Sequence, residues 1–500
     1  MFNIKNIGKK NMSLEMRQLK SISYIIMERI ILGFLIIVTF SCNDFLSDPE
    51  NVDEQNSESK SPPIEFVYPI PSKAQLDWQN AELLLFIHFG MNTFTDTELG
   101  SGRESTQHFN PKRLDANQWL SVAKEIGFKY VILTAKHVDG FCLWPSKYTD
   151  HSVKNSPYKH GQGDIVREFV EACQEYGIAY GFYLAPWDRH ENSYGTSAYN
   201  IFYQNQLIEL LTNYGKVSEV WMDGANDGTV HQDYEWDLFY STIRLYQRDA
   251  LIAIRGPDIR WIGNENGFGN KQEWCVRTKS FAIQPEYNGN VWYPSECDVS
   301  IRPGWFYHRS EDYYSIKSVD ELVEIYFKSV GRNSNLLLNV PPNKDGLISN
   351  RDISRLREWR VKLNEIFRNN ICLEAELQST NTRSNSVDYS LSNCIDNNRN
   401  TFWVTEEGIN TAEIIITFKS EETFNILKLE EAIDYGQRIY SFAVYQDANG
   451  TWQHLLNGTT IGKTRLLRFE SVTTRRIKIK IIGSLGSPTI REIGAYSYDF

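Results

Sequence analysis

Five hundred residues exceed one ordinary domain, so two or three are expected. The balance of 52 Lys and Arg against 63 Asp and Glu leaves a net charge of −11, which argues against a nucleic-acid partner, because a backbone binder needs a basic face. No glycine-rich phosphate loop appears, which argues against a nucleotide cofactor, while 13 Trp, 27 Tyr and 26 Phe supply flat faces for stacking on sugar rings as well as for filling cores.

At the amino terminus, Ile30–Phe40 is an apolar run of signal-peptide length, too short to span a bilayer comfortably. Ser41-Cys42 follows at once. A small residue before a cysteine at the end of such a core resembles a bacterial lipoprotein cleavage site, which makes 1–41 a signal peptide and Cys42 the lipidated first residue of the mature chain. Phe40 departs from that pattern, where a smaller residue is usual, and translation from Met27 would give a more compact signal. Residues 42–63, acidic, rich in Ser and ended by Pro62-Pro63, read as a disordered tether. The expectation is an exported protein of the periplasm or cell surface, touching the membrane only through a lipid on Cys42. In that compartment disulfides are permitted, and Cys372 and Cys394 lie near enough in sequence to pair. No His or Cys spacing suits a metal site, so none is expected in the catalytic domain.

From Glu82 onward strand-like and helix-like segments alternate. Leu83–Gly90, Tyr130–Lys136, Ile178–Leu184, Val217–Met222, Leu251–Ile254 and Asn335–Val340 read as buried strands; Asp115–Glu125, Ile165–Tyr176, Tyr199–Tyr214, Val319–Val330 and Asp352–Arg368 read as helices, several closed by glycine. Repeated strand–helix units without a GxGxxG predict an α/β fold, a TIM-like (β/α)8 barrel over residues 64–370. Between Gly256 and Arg309 the alternation breaks into Gly, Asn, Trp and Pro, which predicts long loops with shortened or missing helices. After Ile371 the texture becomes short alternating strands with polar turns, an all-β sandwich over 371–500.

Polar residues gather where the predicted strands stop: His88, His137, Trp187-Asp188, Asp223 and Arg255. Each alone has an ordinary structural explanation, a capping acid or a satisfied core histidine. Together, at equivalent strand ends, they would share the rim of a barrel that carries chemistry. Breaking a glycosidic bond requires two carboxyl groups. Asp223, at the end of Val-Trp-Met before Gly224, is the first candidate. Glu296, among Trp292, Tyr293 and Pro294, is the second, because an apolar setting raises a carboxyl pKa as an acid catalyst requires. The sequence does not separate it sharply from Glu265, Glu273 or Glu286, and Glu98 is a further rim candidate.

Five stretches in order, Ile87-His-Phe-Gly-Met-Asn92, Ala135-Lys-His-Val-Asp-Gly-Phe-Cys-Leu-Trp-Pro-Ser-Lys-Tyr148, Trp221-Met-Asp-Gly-Ala225, Pro294-Ser-Glu-Cys-Asp298 with Arg302-Pro-Gly-Trp305, and Asn335-Leu-Leu-Leu-Asn-Val-Pro-Pro342, resemble the α-L-fucosidases of glycoside hydrolase family 29, in the branch that prefers α-1,3/1,4-linked fucose. The resemblance implies an exo-acting, retaining double displacement on a fucosylated glycan, with no cofactor. It implies Asp223 as nucleophile, Glu296 as acid/base, His88 and His137 on the fucose hydroxyls, and Trp187, Trp221 and Trp305 around the pocket. Two positions depart from it: Val138 stands where a second histidine is usual, and Leu99 where this branch often has Trp. Both fall on the substrate side, which admits as alternatives an impaired, glycan-binding surface lipoprotein or a barrel glycosidase for another sugar. The segment from about Leu373 resembles discoidin-type domains related to coagulation factors, and its loop Asp396-Asn-Asn-Arg-Asn-Thr-Phe-Trp403 implies a structural Ca²⁺.

Overall fold

The computed structural model describes residues 63–278, 289–312 and 315–499. The signal, lipid-anchor and most of the tether expectations fall on 1–62, outside the described residues, as does Glu286. Among the described residues, no helix is long and apolar enough to cross a membrane.

Helix α1 (Lys73–Ala81) precedes the first strand, fixed by a capping box in which Ser72 and Gln75 satisfy each other's backbone amides. Strands β1 (Leu83–Ile87), β2 (Tyr130–Lys136), β3 (Ala179–Leu184), β4 (Glu219–Met222) and β5 (Leu251–Ile254) alternate with α2 (Met91–Thr95) and α3 (Ala116–Ile126), then α4 (Ile165–Tyr176), α5 (Ser197–Asn213) and α6 (Trp236–Tyr246). Beyond β5 the alternation lapses. Strand β6 (Arg260–Trp261) follows after a short turn, an antiparallel pair β7 (Val276–Thr278) and β8 (Asn290–Trp292) stands apart, and β9 (Ser295–Ser300) enters the barrel with no helix before it. Helix α7 (Val319–Lys328), β10 (Ser334–Asn339) and α8 (Asn350–Ile366) complete it.

The eight strands lie in the order β5-β4-β3-β2-β1-β10-β9-β6, every neighbouring pair parallel. A parallel bridge between Ala253 and Ile259 brings the two ends together, giving a nearly closed barrel. Its interior is filled by Trp78 of α1 with Leu84, Phe86, Ile132, Tyr183, Trp221 and Leu337, and a larger apolar layer, with Leu85, Leu133, Phe169 and Leu336, packs strands against helices. The expected barrel with missing helices is what the chain forms, but β9 is a strand where loop was expected, and that difference decides the active site below.

The carboxyl-terminal part is antiparallel, with the sheet order β11-β13-β16-β14-β15 (β11 Glu376–Ser379, β13 Ala412–Glu430, β14 Ile439–Ala448, β15 Thr451–Gly458, β16 Arg465–Ser484), a small pair β12 (Trp403–Val404) with β17 (Thr489–Ile490), and β18 (Glu492–Tyr496) beside β13. Where the sequence predicts only short strands, β13 and β16 are each one long strand, and their pairing is broken by bulges. The disulfide expectation is corrected: Cys372 and Cys394 are both free, each packed in the apolar core of this domain, where a thiol serves as a small hydrophobe. The ring of Tyr496 meets Phe367 edge-on at 5.2 Å, and Lys463 reaches Glu82 at 2.9 Å, tying the sandwich to the barrel.

Candidate active site

A cavity of about 390 Å³ opens at the carboxyl ends of the barrel strands. Strands β1 to β4 each deliver a side chain there at or just past their last residue, because that is where a parallel strand releases its backbone from the ladder. His88 follows β1, His137 follows β2, Trp187 follows β3 and Asp223 follows β4; all four line the cavity.

Asp223 is half-buried and held from two sides. The Tyr183 hydroxyl donates to Oδ2 at 3.2 Å and the Ala225 amide to Oδ1 at 2.9 Å, so the carboxylate is fixed in orientation. The two histidines are set to offer complementary groups. His88 Nδ1 donates to Asn339 Oδ1 at 2.9 Å, leaving Nε2 as an acceptor; Asn92 Nδ2 donates to His137 Nδ1 at 3.3 Å, leaving Nε2–H as a donor. Burial holds both imidazoles neutral, with His137 pushed down to about 3 by burial and the Arg189 charge, and His88 lowered by burial and by His137. A neutral pair of this kind hydrogen-bonds hydroxyl groups without carrying charge into the pocket.

Three tryptophans shape the walls. Trp305 packs its ring 5.1 Å from His88, and Trp221 lies 5.1 Å from Tyr183. Trp187 stacks on the Arg189 guanidinium at 4.5 Å, and its Nε1 is buried with no acceptor, a donor free for a ligand in the cavity it lines. Glu98 reaches in from the loop after α2. It accepts from the Trp305 amide at 2.9 Å and from His308 Nε2 at 2.6 Å. Gly304 makes this approach feasible, since a Cβ there would sit 2.3 Å from Glu98 Oε1.

The family profile for α-L-fucosidases matches residues 92–360, and that of the F5/8 type C domain matches 378–493. Alpha-L-fucosidase 1 of Arabidopsis thaliana is 44% identical over 451 residues, covering 87% of this chain and 88% of its own length. The chain belongs to the α-L-fucosidase family. The crystal structure of a putative alpha-L-fucosidase from Bacteroides thetaiotaomicron superposes with a TM-score of 0.81 at 38% identity, over 87% of this chain and 99% of that one. A Ruminococcus gnavus family-29 fucosidase solved in complex with fucose gives 0.81 at 34%, over 88% and 97%.

In this fucosidase Glu296, the expected second carboxyl, lies outside the cavity. Glu296 lies on β9, fully buried, and its Oε1 accepts from the indole N–H of Trp221 at 2.9 Å; it does not line the cavity. It sits behind Trp221, with no exposed surface. Burial, and then Glu219 of β4, raise its carboxyl well above the usual range, and Glu219 itself is raised to about 8 by burial. Glu273, another candidate, is fully buried and bound to Arg260. The carboxyl groups that do line the cavity with Asp223 are Glu98, Glu265 and Asp298. Glu265, on the exposed loop after β6, was one of the open alternatives. Asp298, two residues past Glu296 on the same inward face of β9, was missed. It accepts from Trp261 Nε1 at 2.6 Å, and burial, with Glu265 and Asp223 nearby, raises it to about 7. Tyr183 and Asn339, the anchors of Asp223 and His88, were also missed; nothing in the sequence marks them beyond their places near strand ends.

Two rim expectations resolve differently. Asp188 is buried on the Lys136 ammonium at 2.8 Å and is a structural ion pair, and Arg255 lies over Trp236 rather than in the cavity. Val138 and Leu99, the two departures, both line it.

Among the described residues no cluster of three His, Cys, Asp or Glu side chains could hold a metal ion. The fit of a cation to the carboxyl-terminal loop therefore rests on mixed oxygen donors. Asp396 Oδ2 accepts from the Thr401 hydroxyl at 2.6 Å, and Oδ1 from the Asn398 amide at 2.8 Å. Glu492 of β18 leaves Oε1 buried with no partner, and burial, with Asp396 among the acids near it, raises it to about 7. Asp396, Thr401 and Glu492 would offer a hard cation the oxygen donors it takes.

Proposed function

We propose that this chain is an exo-acting, retaining fucosidase that removes terminal α-1,3/1,4-linked L-fucose from glycans, with Asp223 as nucleophile and Glu265 as acid/base. The observation that carries the reading is one cavity holding both carboxyl groups, with two neutral histidines and a free indole donor around them. Asp223 Oδ attacks the anomeric carbon as the bond to the leaving oxygen breaks and Glu265 gives that oxygen its proton. Glu265 then takes a proton from water, whose oxygen displaces Asp223 and frees fucose.

Glu265 suits the role better than Asp298 on position. An acid/base must meet both the departing sugar and incoming water. Glu265 is on an exposed rim loop, whereas Asp298 is set into the floor and engaged by Trp261. Asp298, raised to about 7, instead keeps its proton below that pH and so holds off a further negative charge beside Asp223. Val138 and Leu99 replace polar and aromatic wall with aliphatic surface, which favours a change of glycan preference over loss of activity, since the cavity carboxyls are intact. Proton NMR of the first-formed sugar tests the mechanism: α-L-fucose appearing before mutarotation supports it, and initial β-L-fucose refutes it. Turnover of a Lewis-type trisaccharide against an α-1,2-linked fucoside tests the linkage.

The same reading puts the enzyme outside the cytoplasm on a lipid attached to Cys42, supported by the apolar run ending at Ser41-Cys42, and a structural Ca²⁺ at the Asp396–Trp403 loop, supported by its oxygen donors. Labelling of the full chain with a radiolabelled fatty acid, lost on Cys42→Ala, tests the anchor.

A further inference from the structure

Arg332, between α7 and β10, and Arg465, the first residue of β16, face each other across an antiparallel bridge that joins barrel to sandwich. The Asn333 amide donates to the Thr464 carbonyl at 3.0 Å and the Leu466 amide to the Gly331 carbonyl at 2.9 Å. That pattern makes the arginines a non-hydrogen-bonded pair, the register in which opposed side chains come closest, and like charges so opposed are destabilising. Arg332 gives one N–H to the Gly269 carbonyl at 2.7 Å. Arg465 has no such outlet. It is 8% exposed, and its Nε and Nη1 are buried without an acceptor. Burial and the like-charged Arg332 together push its guanidinium down to about 10. The acid beside this patch, Glu324, is already bound to Lys328 and Arg468.

A buried guanidinium persists when something negative meets it, and each N–H left without an acceptor can donate to an oxyanion oxygen. The described residues provide no carboxylate to Arg465. We propose that the seam between barrel and sandwich binds an oxyanion, phosphate or sulfate, free or carried as an ester, on Arg465 and Arg332. The site is at the amino-terminal end of β10, whereas the cavity lies at the carboxyl ends of the strands, so the anion acts on the docking of the two domains and not on turnover.

Thermal unfolding of the full chain, titrated with sodium sulfate, sodium phosphate and a sugar phosphate monoester against sodium chloride at equal ionic strength, tests this. The wild type should gain a saturable rise in melting temperature on the order of 2–4 °C, absent with chloride. Arg465→Met should lose the rise while melting no lower than wild type in chloride alone, because it removes an unmatched charge. Arg332→Gln should weaken the response with fucoside turnover unchanged. A larger response to the ester assigns the anion to an esterified ligand; an equal one assigns it to the free ion. No saturable rise in the wild type, or an equal rise in Arg465→Met, overturns the proposal.

Discussion

Trp221 hands its indole N–H to Glu296 across the barrel interior, from β4 to β9, at 2.9 Å. Glu219, two residues before Trp221, accepts in turn from the Trp78 indole at 3.1 Å. Two buried acids thus hold two tryptophans, one plugging the barrel and one forming the pocket wall. Glu296→Gln keeps an acceptor for Trp221 and should change kcat/KM by only a few-fold. Glu265→Ala should lower turnover of natural glycans by roughly 10²–10⁴, the usual contribution of a general acid, while sparing aryl fucosides whose leaving group needs no proton. Rates across a series of aryl fucosides with both variants decide between the two carboxyls; a collapse with Glu296→Gln and none with Glu265→Ala would reverse the assignment.

Asp223→Ala should abolish turnover, and azide should restore part of it by occupying the vacated space and yielding a fucosyl azide. Wild-type-like hydrolysis in this variant would refute the nucleophile role.

Tyr183→Phe removes a hydrogen bond to the attacking carboxylate while keeping the ring that stacks 5.6 Å from His137. A hydrogen bond to a charged group contributes about 1.5–3 kcal/mol, so if it is kept through the transition state kcat should fall about 10–100-fold with little change in melting temperature. An unchanged kcat would show that the Ala225 amide alone fixes Asp223.

Several buried carboxyls are raised: Asp139 and Glu219 to about 8 and Asp298 to about 7, each chiefly by burial. Such a group binds its proton in the folded state at a pH where the unfolded chain has released it. Its contribution is therefore full below the unfolded carboxyl pKa near 4 and is lost as pH rises through 7 to 8. The melting temperature should fall from pH 5 to pH 8, and Glu219→Gln should flatten that slope. Asp298→Asn should likewise extend activity on the alkaline side, by removing a charge that appears beside Asp223.

Chelation should lower the melting temperature of the full chain, and added Ca²⁺ should restore it. Glu492→Gln should remove both responses while leaving fucoside turnover intact; equal responses in this variant would place the ion elsewhere.

Much of this was legible in the chain. Strand ends betray themselves when an apolar run stops at a polar residue, and His88, His137, Trp187 and Asp223 were found that way. That Glu296 lies outside the cavity has a physical cause. Ser295-Glu-Cys-Asp-Val-Ser300 has polar residues at every second position, the inverse of a buried strand's usual reading, so it resembled a loop at the rim. The barrel tolerates those polar positions because Trp221 and Trp261 supply indole donors to Glu296 and Asp298. Those partners come from distant parts of the chain, and no local pattern announces them. Once β9 is a strand, the proposed acid lies on the loop after β6, where only three-dimensional placement separates Glu265 from its neighbours.

The short turn between β5 and β6 leaves that part of the barrel without an outer helix. Glu265 is mounted on the exposed loop after β6, whereas Asp223 stands at a strand end, fixed by Tyr183 and the Ala225 amide. If Glu265 gives the proton, side chains exchanged on its exposed loop would alter contact with the sugar that leaves while the interior that holds the attacked sugar keeps its packing.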